Sequence, residues 1–207
     1  MKKIVTVIFL SILSIAVFAQ QNEEEIIRDN FNKYRTLSLQ SNGVEAVKYL
    51  DSRSIKYYET ILELVKNADS LKVESLTLMG KFMVFSIRKM VPKEDILKFD
   101  GKALLVYAID NGMIDNSSAR NIGIGEVIVE DQFAKGQLIV NGNVTPHFFH
   151  FYFEEGQWKF DITSLIPIGI PYFEKIVETL GEKGIATFIQ NMDTLNYQNQ
   201  DIWEPVN

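Results

Sequence analysis

Cysteine is the residue that this 207-residue chain lacks altogether. Without thiols the protein can form no disulfide, cannot use a thiolate as a nucleophile, and cannot build a zinc site on cysteine ligands. Histidine is almost as scarce, with two residues in the whole chain. Stability must therefore come from a hydrophobic core, and a hydrophobic content of 46% is ample for one.

An excess of basic residues is also missing. The chain has 21 Lys and Arg against 27 Asp and Glu, a formal net charge of −6. Nucleic-acid binding needs clustered positive charge, so this balance argues against a nucleic-acid partner. The chain also has no glycine-rich phosphate-binding loop, because Gly123-Ile124-Gly125 lacks the third glycine of the dinucleotide pattern. We therefore expect no cofactor.

Long hydrophobic runs are rare, and the clearest one lies at the N-terminus. Lys2 and Lys3 precede an uncharged apolar stretch, Ile4–Phe18, which is followed by Ala19. This order is typical of a secretory signal peptide at residues 1–19, cleaved after Ala19. The alternative is an uncleaved membrane anchor, but the stretch is short for a span of about 20 residues. We expect export to the periplasm or the extracellular space, with no membrane span after cleavage.

The rest of the chain predicts an α+β fold, with helices first and an antiparallel sheet after them. Apolar residues recur at helical spacing in the first half, and the period changes to two from Gly123 onward. The predicted helices are Asn22–Gln40, Val44–Leu50, Ser52 to about Asp69, Ser75–Val91, Glu94–Phe99 and Lys102–Asp110. The predicted strands are Glu126–Glu130, Phe133–Val140, Val144–Phe153 and Gln157–Thr163, joined as a meander by tight turns such as Asn141-Gly142.

The stretch Ser75–Val91 is apolar nearly all round, so that a pair of strands is the alternative to a helix. After the sheet, Pro167 and Pro171 are expected to end the strands and to precede helices. The predicted C-terminal elements are Tyr172–Leu180, Glu182–Leu195 and a polar tail anchored by Trp203. We expect residues 20–167 to form one domain and residues 168–207 to form a helical extension.

The densest aromatic cluster of the sequence lies on the last hairpin. A two-residue turn at Glu155-Gly156 fixes which residues of the two strands lie opposite each other. The predicted pairs are Phe153 with Trp158, Phe151 with Phe160 and Phe149 with Ile162. Because alternate side chains of a strand point to the same face, these six groups share one side of the sheet. Each contributes about 1.5–3 kcal/mol when fully buried, so the pattern predicts a core and not a cofactor site.

The same register places polar residues together on the opposite face, with His150 opposite Asp161 and Tyr152 opposite Lys159. A carboxylate beside a histidine raises its pKa and orients its ring, which is the outline of a general base. His150 and Asp161 are therefore candidate catalytic residues, and a cross-strand hydrogen bond on a half-solvated face is the alternative. The candidate ligand-binding residues are Tyr57, Tyr58, Phe148 and Tyr152. His147 and His150 face opposite ways on a regular strand, so we expect no metal site.

Helices followed by a curved sheet that ends in Gly-x-Trp-Lys-hydrophobic-Asp resemble the nuclear transport factor 2-like superfamily (NTF2-like; ketosteroid isomerase and SnoaL-like proteins), including its uncharacterised secreted bacterial members. The stretches that carry the resemblance are residues 41–62, 124–142 and 149–167. The resemblance implies a cone-like fold, in which the sheet wraps a helix around a hydrophobic cavity. The isomerases of this superfamily use an Asp base with Tyr and acid oxyanion donors, and this chain has no residue-by-residue match for that set.

Three functions fit these observations, since the superfamily includes both enzymes and binding modules. The first, which we favour, is non-catalytic binding of a small apolar ligand or a protein partner at the opening of the cone. The second is an isomerase, dehydratase or cyclase acting on a hydrophobic small molecule, with His150 as base and Asp161 orienting it. The third is a structural, partner-binding role of the C-terminal helices and the tail around Trp203. The sequence leaves the oligomeric state open.

Overall fold

The structure of the chain is a computed structural model that describes residues 22–114, 120–180, 184 and 201–207. The protein is α+β, as predicted, with helices and a four-stranded antiparallel open sheet. Apart from Gly184, the predicted signal peptide at 1–19 and the predicted helix Glu182–Leu195 lie outside the described residues. In the part of the chain that the structure describes, no helix combines the length and hydropathy that crossing a bilayer requires.

The described residues group into two compact units, each assembled from separate stretches of the chain. The first contains the described residues up to Asp51 and those from 120 to Asp161. The second contains Ser52–Ile114 and the described residues from Ile162 onward. The predicted division into residues 20–167 and 168–207 stays a prediction.

The first unit consists of helices and the sheet. Its elements are α1 (22–39), α2 (Gly43–Ala46), a 3-10 turn (Val47–Tyr49), β1 (Ile122–Glu130), β2 (Phe133–Val140), β3 (Asn143–Glu154) and β4 (Gln157–Asp161). The strands are joined in the order β1-β2-β3-β4, the predicted meander. Leu50 adds a parallel bridge to Phe160, and the Asp51 amide donates to the Phe160 carbonyl at 3.0 Å, so the outer edge of β4 is partly covered.

All three hairpins turn at predicted dipeptides, and two of these dipeptides end in glycine. Asn141 and Gly142 have φ values of 51° and 78°, and Glu155 and Gly156 have values of 52° and 78°. Positive φ at both central residues defines a type I′ turn, whose twist matches that of the flanking strands. Glycine adopts this conformation without a steric penalty, which explains its second place in both turns.

Helix α1 forms the core of the first unit against the sheet. Its buried stripe consists of Ile27, Phe31 and Tyr34, at the spacing of one helix face. The Phe31 ring lies 4.7 Å from that of Phe149 and 5.5 Å from that of Phe160, measured between ring centroids. Edge-on and tilted ring contacts of this kind add to the hydrophobic gain of burial.

The aromatic hairpin has the predicted register over its ordered length. Phe151 lies opposite Phe160 and Phe153 opposite Trp158. The third predicted pair is wrong, because β4 ends at Asp161 and Ile162 starts a 3-10 turn. Phe153 is 39% exposed, unlike the buried Phe151, because it lies next to the turn, where its ring covers the Trp158 indole at 5.4 Å.

The second unit is helical. Its elements are α3 (Ser52–Asn67), α4 (Ser70–Glu74), α5 (Leu78–Met90), α6 (Lys93–Lys98), α7 (Gly101–Asp110), a 3-10 turn (Ile162–Leu165) and α8 (Ile166–Leu180). Side chains cap three of the helices: Asp69 accepts from the Lys72 amide, Thr77 from that of Gly80, and Asp100 from that of Ala103. These caps satisfy amides that have no partner within the helix. The helix predicted for Ser75–Val91 is confirmed, and the alternative of two strands is wrong. The helix α5 begins three residues later than predicted.

A buried arginine connects three parts of the second unit. Arg88 on α5 is 1% exposed, and its guanidinium donates to carbonyl oxygens at the end of α3 and to that of Ile202. The segment 201–207 is further held by Trp203, whose ring lies 4.7 Å from that of Phe85, and by the Val206 amide, which donates to the Lys66 carbonyl. Trp203 thus anchors the tail as predicted, and the more deeply buried Ile202 and Val206 anchor it too.

The predicted effect of the two prolines in the C-terminal part is wrong, because they do not precede the helix. Helix α8 begins at Ile166, not at Tyr172, and contains both Pro167 and Pro171. Pro167 lies in the first turn, where an amide hydrogen would have no helical acceptor in any case. Pro171 removes one hydrogen bond to that first turn, a small loss beside the packing of Phe173 on Phe82 at 4.4 Å.

Candidate functional site

The predicted catalytic pair lies on the face of the sheet opposite α1. His150 on β3 is directly opposite Asp161 on β4, and Tyr152 is directly opposite Lys159. Side chains in such positions are cross-strand neighbours, with Cβ atoms about 4.5–5.5 Å apart. His150 is half-buried and Asp161 is 5% exposed. The structure thus confirms the register on which the pairing was predicted, and a catalytic role for the two residues stays a prediction.

An additional aromatic residue belongs to this face. The Phe133 ring on β2 lies 5.3 Å from the His150 ring and 5.2 Å from the Tyr152 ring. Phe148 is on the same face one step along, paired with Gln137. Counting back from the Asn141-Gly142 turn would have placed Phe133 opposite His150, whereas it lies opposite Tyr152. The sequence therefore contained no simple signal for this cluster.

The reason for the shift is an irregularity between β2 and β3. Ile139 pairs with Val144, but Gln137 pairs with Phe148, so β3 has two more residues than β2 in this interval. Pro146 lies there and has no amide to donate to the ladder. The Thr145 hydroxyl instead donates to the Leu138 carbonyl at 2.8 Å. The exposed His147 belongs to the same irregular stretch, and within the described residues no group of three His, Asp or Glu could share a metal ion.

The remaining predicted ligand-binding residues, Tyr57 and Tyr58, lie on α3 of the second unit. Their rings are 5.7 Å apart, Tyr58 is buried, and Tyr57 is half-buried. Burial raises the pKa of Tyr57, so its phenol stays protonated and able to donate a hydrogen bond at neutral pH. A common ligand of these tyrosines with Phe148 and Tyr152 stays a prediction.

A pocket of about 480 Å³ lies along α7 in the second unit. This volume is within the range of small-molecule sites, about 300–1,000 Å³. The residues that line it are Phe99, Asp100, Lys102, Ala103, Val106, Tyr107, Asp110 and Asn111. The wall is mainly apolar, the polar groups lie at its two ends, and the pocket is widely open to solvent.

Helix α7 can form this wall because it has two apolar faces. One face is buried in the unit and contains Leu104, Leu105, Ala108 and Ile109. The other contains Ala103, Val106 and Tyr107, which are half-buried and line the pocket. A surface helix with a single stripe would place polar residues at these positions. This second face is only half-buried, so part of its apolar surface is exposed in the pocket.

The wall of the pocket is held in place from both sides. At Gly101, a Cβ atom would lie 2.6 Å from the Glu59 nitrogen, so the start of α7 is in backbone contact with α3. The Lys66 ammonium donates to the Phe99 carbonyl at 3.0 Å. The Phe99 and Tyr107 rings are 5.5 Å apart and inclined by 50°, and the Tyr107 hydroxyl lies 3.5 Å from the Met90 carbonyl. A wall fixed in this way is preorganised for a ligand.

Sequence reasoning treated Lys102–Asp110 only as a short helix and missed the pocket. The signal was present: Ala103, Val106 and Tyr107 follow a three-to-four spacing beside the equally apolar stripe of Leu104, Leu105 and Ala108. A helix that packs on one side needs only one apolar stripe, so two stripes on a short helix indicate a second apolar surface. Comparison of the chain with known protein families, with curated proteins and with solved structures finds no match.

Proposed function

We propose that this protein is an exported, non-catalytic binding module that holds a small apolar ligand in the α7 pocket. The observation that carries the proposal is the second apolar face of α7, lining a pocket of about 480 Å³. Ala103, Val106 and Tyr107 keep part of their apolar surface exposed there, and a ligand would remove that surface from water.

The proposal includes the nuclear transport factor 2-like architecture and export of the chain. Support for the architecture comes from the α+β class and from the four-stranded meander whose last hairpin carries the Gly-x-Trp-Lys-hydrophobic-Asp pattern. Support for export comes from the sequence of residues 1–19. A measured mass of the secreted protein that begins at residue 20 would establish the cleavage site.

Binding is tested with a neutral, environment-sensitive dye such as Nile red. Val106→Thr keeps the shape and branching of the side chain and places a hydroxyl in the pocket, at a desolvation cost of about 1 kcal/mol. We expect the dye to bind about fivefold more weakly, since 1.4 kcal/mol corresponds to a factor of ten. The matched control is Val144→Thr, the same change at a residue that is 64% exposed on β3.

Equal dye affinity of Val106→Thr and the unaltered protein would contradict the proposal. So would saturable binding that Val144→Thr weakens to the same extent, because the pocket would then not be the site. Incubating the unaltered protein with a cell extract and identifying the retained compound by mass spectrometry would give the ligand itself. Its recovery should decrease with Val106→Thr and not with Val144→Thr.

An enzyme acting on a hydrophobic small molecule is the second candidate, and the cross-strand pair His150–Asp161 favours it. We expect His150→Gln to abolish any turnover detected in such an extract while leaving Nile red binding unchanged. Turnover that survives both His150→Gln and Asp161→Asn would exclude this pair as the catalytic residues.

A further inference from the structure

We infer that segment 201–207 is a docking motif that two copies of the chain can exchange. Its binding site, called here the tail site, consists of the end of α3 together with Phe85 and Arg88 of α5. The inference is independent of the α7 pocket and of any ligand there. It names a second copy of the chain as a partner and assigns the surface that receives it.

Three apolar side chains anchor the segment in the tail site. Ile202 is 3% exposed and Val206 is fully buried. The Trp203 ring lies 4.7 Å from that of Phe85 on α5. In protein interfaces a few well-buried anchors, aromatic residues above all, carry most of the binding energy. The segment therefore has the anchors of a linear docking motif.

Hydrogen bonds fix the register of the segment on the tail site. The amides of Val206 and Asn207 donate to the Lys66 carbonyl at 3.1 and 3.2 Å. The Arg88 guanidinium donates to the Ile202 carbonyl at 3.0 Å. The segment uses its main chain in each of these bonds, so the segment of another copy can make them equally well.

The bound shape of the segment is set by its own residues. The Asp201 carboxylate accepts from the Trp203 amide at 3.0 Å, and the Asp201 carbonyl accepts from the Glu204 amide at 3.2 Å. Pro205 then restricts the backbone further. A segment whose turn forms locally loses less conformational freedom when it binds. It does not need the rest of its own chain to take up the docked shape.

The tail site is likewise built without the segment. The Arg88 guanidinium also donates to three carbonyl oxygens at the end of α3, so its position does not depend on Ile202. The charged residues of the segment, Asp201 and Glu204, are both acidic, and their charges interact with that of Arg88. A fixed positive group thus faces a negative segment, which favours this orientation of docking.

A second copy of the chain is the partner because it carries a segment that fits this site. Exchange repeats the contacts made within one chain and needs no new interface, and reciprocal exchange closes a twofold dimer. Residues 181–200 connect α8 to the segment, and a chain of that length reaches at most about 70 Å. Docking within one chain competes through its high effective concentration, so exchange should increase with protein concentration.

The absence of cysteine makes the exchange directly measurable. The Asn207 side chain donates to that of Asn67 at the end of α3, and both residues are exposed. A chain with Asn67→Cys is mixed with a chain with Asn207→Cys and oxidised with diamide. The linked peptides are then quantified by mass spectrometry. Because a disulfide needs Cβ atoms about 3.5–4.5 Å apart, this link reports the segment of one copy in the tail site of the other.

The matched control replaces Asn67→Cys with Asn111→Cys, the same change at an exposed asparagine that hydrogen-bonds within α7. We expect about fivefold more of the 67–207 link than of the 111–207 link, since random collision alone seldom meets the geometry of a disulfide. The excess should grow with protein concentration.

Trp203→Ala gives a second readout with two opposite signs. In the chain that carries Asn207→Cys it removes an anchor of the donated segment and should decrease the link. In the chain that carries Asn67→Cys it weakens the competing segment of the receiving copy and should increase the link. A change of the same sign in both chains would overturn the inference, and so would a 67–207 link no more abundant than the control. The double variant Asn67→Cys/Asn207→Cys should close within one chain at low concentration, and its failure to close would overturn the inference as well.

Discussion

Replacing Arg88 with methionine should destabilise the second unit by about 3–5 kcal/mol. The guanidinium donates to the carbonyl oxygens of Val65 at 3.0 Å, Leu64 at 3.2 Å, Ala68 at 2.6 Å and Ile202 at 3.0 Å. A hydrogen bond to a charged group contributes about 1.5–3 kcal/mol, and leaving a buried acceptor unsatisfied costs about 1–3 kcal/mol. Methionine keeps the unbranched apolar stem, so the loss reports the donors and not a cavity.

The four contributions do not add in full, because burying the guanidinium costs energy. Desolvation lowers the pKa of Arg88, although the charges of Glu204 and Asp201 oppose this shift. The net loss is therefore closer to two hydrogen bonds than to four. It corresponds to a decrease of about 10 °C in unfolding temperature, at about 2–4 °C per kcal/mol for a protein of this size.

Trp203 provides a local assay of this loss. The chain has two tryptophans, so Trp158→Phe leaves Trp203 as the sole indole fluorophore. Its ring lies 4.7 Å from that of Phe85, and its emission should shift to the red when segment 201–207 separates from α5. In urea titrations, Arg88→Met should move this transition to a lower midpoint than in the Trp158→Phe parent.

Two controls make the result specific. Arg88→Lys keeps the charge, but an ammonium group cannot donate to several carbonyls at once as the planar guanidinium does. Its stability should therefore lie between those of the parent and Arg88→Met. Lys72→Met removes an exposed positive charge on α4 and should change stability by less than about 0.5 kcal/mol. A stability loss below 1 kcal/mol for Arg88→Met, or an unchanged Trp203 transition, would refute the reasoning.

Other parts of the fold give further predictions, each measured by urea unfolding. Gly101→Ala should destabilise by about 2–3 kcal/mol, because its methyl group would lie 2.6 Å from a backbone nitrogen of α3; Gly169→Ala in α8 meets nothing within 4 Å and should stabilise by about 0.5–1 kcal/mol. Phe31→Ala should cost about 3–5 kcal/mol, as for other buried phenylalanines. Burial raises the pKa of Tyr34 to about 12, whereas the unfolded chain ionises near 10.0, so the stability that this phenol contributes is present below pH 10 and lost between pH 10 and 12. Between pH 10 and 12, the free energy of unfolding should therefore decrease by about 3 kcal/mol less in Tyr34→Phe than in the unaltered protein. Equal decreases would contradict the assignment.

The last hairpin could be predicted from the sequence because its register is a local property. The turn at Glu155-Gly156 has two residues, and its geometry alone sets Phe153 opposite Trp158 and His150 opposite Asp161. The alternation of side chains then determines which faces these residues occupy. No distant part of the chain is needed for that prediction.

The register between β2 and β3 could not be predicted in the same way. The turn at Asn141-Gly142 sets the first pairs, but the irregularity at Thr145 and Pro146 then moves Phe133 two residues along β3. Its geometry depends on a side-chain hydrogen bond between strands, from the Thr145 hydroxyl to the Leu138 carbonyl, and hydropathy patterns carry no information on such bonds.

The helical unit shows a different limit of sequence reasoning. From the sequence alone, Arg88 on an apolar helix would be expected at an exposed end of that helix. One of its hydrogen-bond acceptors, Ile202, is 114 positions away, so the local sequence gives no sign of that contact. The early start of α8 depends on two prolines whose effect is set by their place in the first turns. The α7 pocket could have been predicted, because the two apolar stripes of that helix are visible in the sequence itself.

The interleaving of the two units has a consequence for biosynthesis. Helix α1 packs on strands that are synthesised about a hundred residues later, and the hydrogen bond from Arg88 to Ile202 can form only after Ile202 has left the ribosome. The first unit therefore cannot close while the first half of the chain is emerging, because its sheet has not yet been synthesised. This part of the nascent chain thus lacks its packing partners, and stays accessible to chaperones, until the sheet has been made.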